Sequence, residues 1–177
     1  MTLKSILAAI ALCPALLVSA DCFAEDAKPA NPLDNVPEKM NFDIPYGAPI
    51  SLERATAAIN VAVAEAKKRG WKMNVAVVDS GTNLVAFQRM DGAQLASIQI
   101  SEHKARAAAS FRRETKIFEN AIQVNNMPYV ATLDGAIGSR GGIPLVEDGK
   151  LIGAIGCSGG AGSQDEVVCK AGAAMFK

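Results

Sequence analysis

The segment 143–157 constrains this chain more than any other. Two apolar runs, residues 143–147 and 150–157, are separated only by Asp148-Gly149. An Asp-Gly pair in that setting favours the two-residue type I′ turn, whose twist matches that of paired strands. Strands joined by so short a turn must run antiparallel. A second pair of runs, 73–78 and 84–89, flanks Asp79-Ser80-Gly81 and repeats the arrangement. The chain is therefore committed to an antiparallel sheet.

Helical periodicity fills the intervals. Behind Ser51, a good N-cap, the residues Ala55, Ala58, Ile59, Ala62, Val63 and Ala66 fall on one helical face. Lys67, Lys68 and Arg69 suit the C-terminal end of that helix, and Gly70 stops it. Residues 93–111 read as the longest helix, rich in alanine, and 114–124 as a shorter one. Residues 125–142 are loop-rich. Ser163 and Glu166 match a capping box that opens a final helix running to the C-terminus. The order helix, hairpin, helices, hairpin, helix gives an α+β fold, an antiparallel sheet with helices packed on it.

The N-terminus stands apart. Lys4, an apolar run over 6–18 and small residues at Ser19-Ala20 and Ala24 have the order of a secretory signal peptide. Cleavage fits after Ala20 or Ala24, and residues 1–24 are read as a removed leader. No later run is long and apolar enough to span a bilayer, so a periplasmic or secreted location is expected. Residues 25–49 hold five of the eight prolines and read as a linker or arm. Residues 50–177 form the domain.

Lysine plus arginine and aspartate plus glutamate each number 18. With no basic block among them, nucleic acid and anionic membrane are poor partners. After cleavage at Ala24 only Cys157 and Cys169 remain, bridged or as two buried thiols in an oxidising compartment. Neither makes a zinc signature or a covalent haem attachment motif.

Gly156-Cys157-Ser158-Gly159-Gly160 has the spacing of a nucleophile elbow, but no histidine follows Ser158, which argues against serine hydrolysis. The same glycines, ahead of a helix N-terminus, could expose amides to a carboxylate. A tight strand-to-helix turn is the structural alternative. His103 is the single histidine, so metal sites needing two are excluded. It shares a helical face with Ile100, Ala107 and Phe111, where it could ligate haem iron, with Lys104 and Arg106 for the propionates. A surface histidine among charged neighbours is the alternative. Met73, Met90 and Met127 are further candidate ligands, or core filler.

Several segments together resemble one known family. They are Asn74-Val75-Ala76-Val77-Val78-Asp79 with Leu84-Val85-Ala86-Phe87, and Met90-Asp91-Gly92-Ala93. The helical Lys104-Ala105-Arg106-Ala107-Ala108-Ala109-Ser110-Phe111 comes next. Gly141-Gly142-Ile143-Pro144-Leu145, the strand 151–156 and Ser158-Gly159-Gly160 before Gln164-Asp165-Glu166 complete the set. Over 51–176 this is similar to the GlcG/HbpS-like haem-binding family. The resemblance implies a profilin-like fold, homo-oligomers that are often octamers, and haem as a non-covalent ligand for storage, sensing or detoxification. Carried over by position, it implies a pocket of Met90, Asp91, Gly92, Gly141, Gly142, Pro144, Ser158, Gly159 and Gly160. Ligand binding is favoured over catalysis. The competing class is a small hydroxy- or oxo-acid-processing enzyme or accessory protein, using Asp91 or Asp165 with the amides of 156–162.

Overall fold

The computed structural model describes residue 31, residues 34–40 and residues 42–176. The proposed leader lies outside them. The chain divides into two units, Met1–Lys39 and Met40–Lys177. In the first, residues 34–39 are exposed, and the Asp34 amide donates to the Asn31 carbonyl at 3.0 Å.

The second unit opens with α1 (Leu52–Lys68), where Ser51 Oγ accepts from the Arg54 amide. Its buried residues are the six of the apolar stripe, Ala55 to Ala66. β1 (Asn74–Asp79) and β2 (Leu84–Arg89) follow, and Asp79 Oδ1 closes their turn by accepting from the Gly81 and Asn83 amides. α2 (Ala96–Phe111) starts three residues later than the composition suggests. The chain is still finishing a turn there: the Ala93 amide donates to the Met90 carbonyl, with Gly92 at φ +74°.

α3 (Lys116–Gln123) and a 3₁₀ turn (Pro128–Thr132) precede β3 (Gly142–Glu147) and β4 (Lys150–Ser158). Asp148 and Gly149 both have positive φ, 49° and 71°, as the type I′ turn requires. The last helix, α4 (Gly162–Ala173), begins before Ser163, which corrects the expected capping box. Ala161 is the N-cap, and Gln164 Oε1 returns to its amide at 2.8 Å. Glu166 instead turns to Lys116 and Lys170.

The four strands pair antiparallel throughout, in the order β2-β1-β4-β3. Alternate residues point to opposite faces of a sheet. Val75, Val77, Ile155 and Cys157 pack with residues of α1 and α4, whereas Ala76, Val78 and Ala154 pack with Ala105, Ala108 and Ala109 of α2. The sheet thus lies between α1 with α4 on one face and α2 on the other.

Small side chains set how closely α2 approaches. Ala76, Gly156 and Gly142 face one another across three adjacent strands. A Cβ on Gly156 would fall 2.0 Å from the Ser101 carbonyl oxygen, and one on Gly142 2.3 Å from that of Lys104. The helix backbone therefore rests almost directly on the sheet.

The end of the proline-rich arm lies along β4. The Leu151 amide donates to the Pro45 carbonyl at 2.8 Å, and the Gly47 amide donates back to Leu151 at 2.7 Å.

Cys157 on β4 and Cys169 on α4 are joined by a disulfide, both fully buried. The bridge closes a loop of sequence separation 12, and cross-linking a loop that short stabilises by about 2–3 kcal/mol. Reducing agent should lower the urea midpoint and, by letting the denatured chain expand, steepen the transition slightly.

Candidate functional site

The glycine turn after β4 is built around a buried ion pair. Lys104 of α2 is 1% exposed and Asp165 of α4 is 2% exposed. Lys104 Nζ donates to Asp165 Oδ2 at 2.7 Å and to the Cys157 carbonyl at 3.2 Å. Asp165 Oδ1 accepts from the Gly160 amide at 3.1 Å. Burial pushes the Asp165 carboxyl above its ordinary value, against the pull of Lys104 and the Gly160 and Gly159 amides.

This arrangement corrects three expectations. The Gly160 amide is occupied by the chain's own carboxylate, and the Ala161 amide by Gln164, so the turn has already filled its anion site. Lys104 points inward, so it offers nothing to a ligand carboxylate at the surface. Asp165, buried and held by Lys104, is likewise withdrawn from the role beside the 156–162 amides that a small-acid enzyme would give it.

Ser158 is buried beside this junction and its hydroxyl donates to Ser97 Oγ at 3.0 Å. Gln94 Nε2 also donates to Ser97 Oγ, and Asn74 Nδ2 donates to the Gln94 carbonyl at 3.1 Å. Asn74 Oδ1 is buried without a partner among the described residues. Ser158 thus ties β4 to the start of α2. Gly159 lies against the Lys72 carbonyl, where a Cβ would approach to 2.2 Å.

The other expected pocket residues are dispersed. Gly141 and Gly142 are buried, Gly141 against Asp165 and Cys157, Gly142 against Lys104 and Thr115. The Gly142 amide donates to Thr115 Oγ1 at 2.9 Å, and its carbonyl accepts from the Thr115 amide at 3.0 Å. Their glycine character serves close packing, which corrects their reading as pocket walls. Pro144 lines a cavity at the β3 edge. His103 and Arg106 are exposed on α2, Arg106 paired with Glu102 at 2.9 Å, and neither lines a described cavity.

Met90 and Asp91 line a cavity of about 510 Å³ where α1 ends and β2 ends. Lys67, Gly70, Trp71, Lys72, Gln88 and Arg89 complete it. Lys67, Lys72 and Arg89 meet no carboxylate among the described residues, so three cations face a single acid, Asp91. Trp71 packs against the core beside Met90, and the Arg69 guanidinium lies 5.1 Å from its ring centre. The size falls within the range of small-molecule sites, and the lining joins a thioether and an indole to several cations. Met73 is fully buried in the core, and Met127 packs on the α3 cluster.

Sequence reasoning missed Lys67, Trp71, Lys72 and Arg89. The run from Lys67 to Lys72 holds four cations around the single tryptophan of the chain. Its basic residues serve the α1 dipole equally well, and that explanation concealed the cavity.

The family described as "Haem degrading protein HbpS-like" matches residues 50–174. Protein GlcG of Escherichia coli K12 is 41% identical over 109 residues, 62% of this chain and 81% of GlcG. The structure of a double mutant of HbpS from Streptomyces reticuli superposes with a TM-score of 0.68 at 30% identity, covering 84% of this chain and 99% of that one. Protein ORFY of Klebsiella pneumoniae gives 0.69 at 26% identity, over 80% of this chain and 97% of ORFY.

Proposed function

The chain belongs to the HbpS-like family, and from that premise we propose that it is an exported protein that binds haem non-covalently in the cavity between α1 and β2. The observation that carries this reading is the lining of that cavity. Met90 supplies a thioether for iron, Trp71 an aromatic wall for the macrocycle, and Lys67, Lys72 and Arg89 charge for two propionates. Haem bound there would supply iron coordination and redox chemistry, while the chain orients it and balances its charge. The buried disulfide supports export, since such bonds persist in oxidising compartments. Storage, sensing or detoxification are the roles such a site would serve, and assembly into a homo-oligomer, up to an octamer, belongs to the same proposal.

His103 is the competing iron ligand. On the outer face of α2 it would hold haem at the surface or between copies of the chain. A haem titration of tag-free mature protein, followed by the Soret band, separates the two. The expected result is a saturable shift that weakens by on the order of tenfold or more in Met90→Ala and persists in His103→Ala. Loss in His103→Ala with retention in Met90→Ala would move the haem to the α2 surface. The absence of a saturable shift at micromolar protein would sink the haem reading.

A further inference from the structure

A second cavity, of about 460 Å³, lies beside β3 on the far side of the sheet order from β2. Phe42, Ile44, Ile117, Ile143, Pro144 and Val146 form its apolar lining. None of its described lining residues carries an imidazole, thiol, thioether or phenol. It therefore suits an organic ligand without a metal.

Cations outnumber acids in this slot, whose lining sets Arg112, Arg113 and Lys116 against Glu114. Arg112 and Arg113 are consecutive, and among the described residues neither meets a carboxylate. Each guanidinium has five N–H donors and uses one: Arg112 on the Ile44 carbonyl at 2.9 Å, Arg113 on the Phe111 carbonyl at 2.9 Å. The acids nearby are engaged. Glu114 pairs with Lys170 at 3.2 Å, and Lys116 is held by Glu166 at 3.2 Å.

The two guanidiniums are also fixed in advance. Arg112 caps α2 in the left-handed region, φ 55°, uncommon for a residue with a side chain. Its guanidinium lies 5.4 Å from the Tyr46 ring centre, and that of Arg113 sits 3.4 Å from the centre of Phe42. Burial, and then the neighbouring Arg112 charge, pulls Arg113 below its ordinary value. Strain and like charge gathered at one place, with the one lining acid, Glu114, turned to Lys170, mark a site that an external anion would relieve.

We propose that this slot binds an amphipathic monocarboxylate, with its carboxylate on Arg112 and Arg113 and its apolar body along Ile117, Ile143, Pro144 and Val146. An added β-strand is a poorer occupant. A proline inside a strand is tolerated where its missing N–H faces away from the partner strand, so the outer edge of β3 lacks a donor at Pro144.

Calorimetry with sodium octanoate tests the assignment on the whole mature chain, with octanol and octyltrimethylammonium as controls. One saturable octanoate site per chain is expected, with octanol at least about tenfold weaker and the ammonium silent. Arg113→Gln should weaken octanoate by about tenfold or more. Ile117→Asp, at a position 40% exposed that tolerates a charge, should abolish binding and decides the matter if Arg113→Gln does not fold. Emission from Trp71, which lies in the other cavity, should not change on titration. The proposal is overturned by the absence of saturable heat at millimolar octanoate, by equal binding of octanol, or by binding retained in Ile117→Asp. A Trp71 response in step with the heat would place the anion in the α1–β2 cavity and overturn it as well.

Discussion

Lys104→Met should destabilise the protein by about 3–5 kcal/mol, the usual loss when one member of a buried ion pair is removed. The side chain is 1% exposed, and its ammonium contacts Asp165 Oδ2 and the Cys157 carbonyl. Without it, the Asp165 carboxylate keeps only backbone amides, those of Gly160 and Gly159, as protein donors among the described residues. Urea unfolding reads the loss. Lys104→Met combined with Asp165→Leu should recover most of it, because burying neither charge is less costly than burying one.

The pH dependence carries a sign. Burial already raises the folded-state pKa of Asp165, so its contribution is present at low pH and is lost as pH rises through that raised value. Removing Lys104 raises it further. The gap between variant and wild type should therefore narrow as pH falls towards the ordinary aspartate value, about 3.9. A loss below about 1 kcal/mol at neutral pH would mean that water reaches the carboxylate and that the pair is not structurally buried.

Lys104 also shows what the sequence made legible and what it hid. Elements defined by local chemistry were readable: Ser51 and the alanine stripe for α1, Asp148-Gly149 for the β3–β4 turn. Element starts were not: a turn at Met90–Ala93 delays α2, and Gln164 rather than Glu166 closes the cap of α4. On α2 the buried residues include Ser97, Ser101, Lys104, Ala105 and Ala108, a regular helical stripe in which the lysine falls inside. Periodicity could have found it, but lysine is almost never fully buried unless paired, and its partner lies 61 residues away. His103, one position earlier, leaves that stripe and is exposed. The motif Gly141-Gly142 and the glycines of 156–160 were legible as residues, but not as packing. Only the register that aligns Ala76, Gly156 and Gly142 beneath α2 reveals why a side chain is missing there.

Gly156→Ala tests that packing account directly, and a loss of about 3 kcal/mol or more is expected, at or beyond the upper end of ordinary overpacking. Its φ is not positive, so alanine brings no backbone strain, and the cost is steric. The new Cβ would lie 2.0 Å from the Ser101 carbonyl oxygen and 2.5 Å from the Ala105 nitrogen, both helix backbone that cannot rotate aside. α2 must lift, which pulls Lys104 away from Asp165 and opens the α2 amides to hydrogen exchange. Gly149→Ala is the control of opposite kind. There φ is +71° and nothing lies within 4 Å, so only the left-handed strain of about 1 kcal/mol should appear. The order of the two losses distinguishes the explanations. If Gly156→Ala proved as mild as Gly149→Ala while weakening haem, the glycine would be there for a ligand's approach and the helix would not need it. A large loss of stability with faster exchange along α2 would assign the glycine to the fold, and leave the ligand to the two cavities that α2 does not cover.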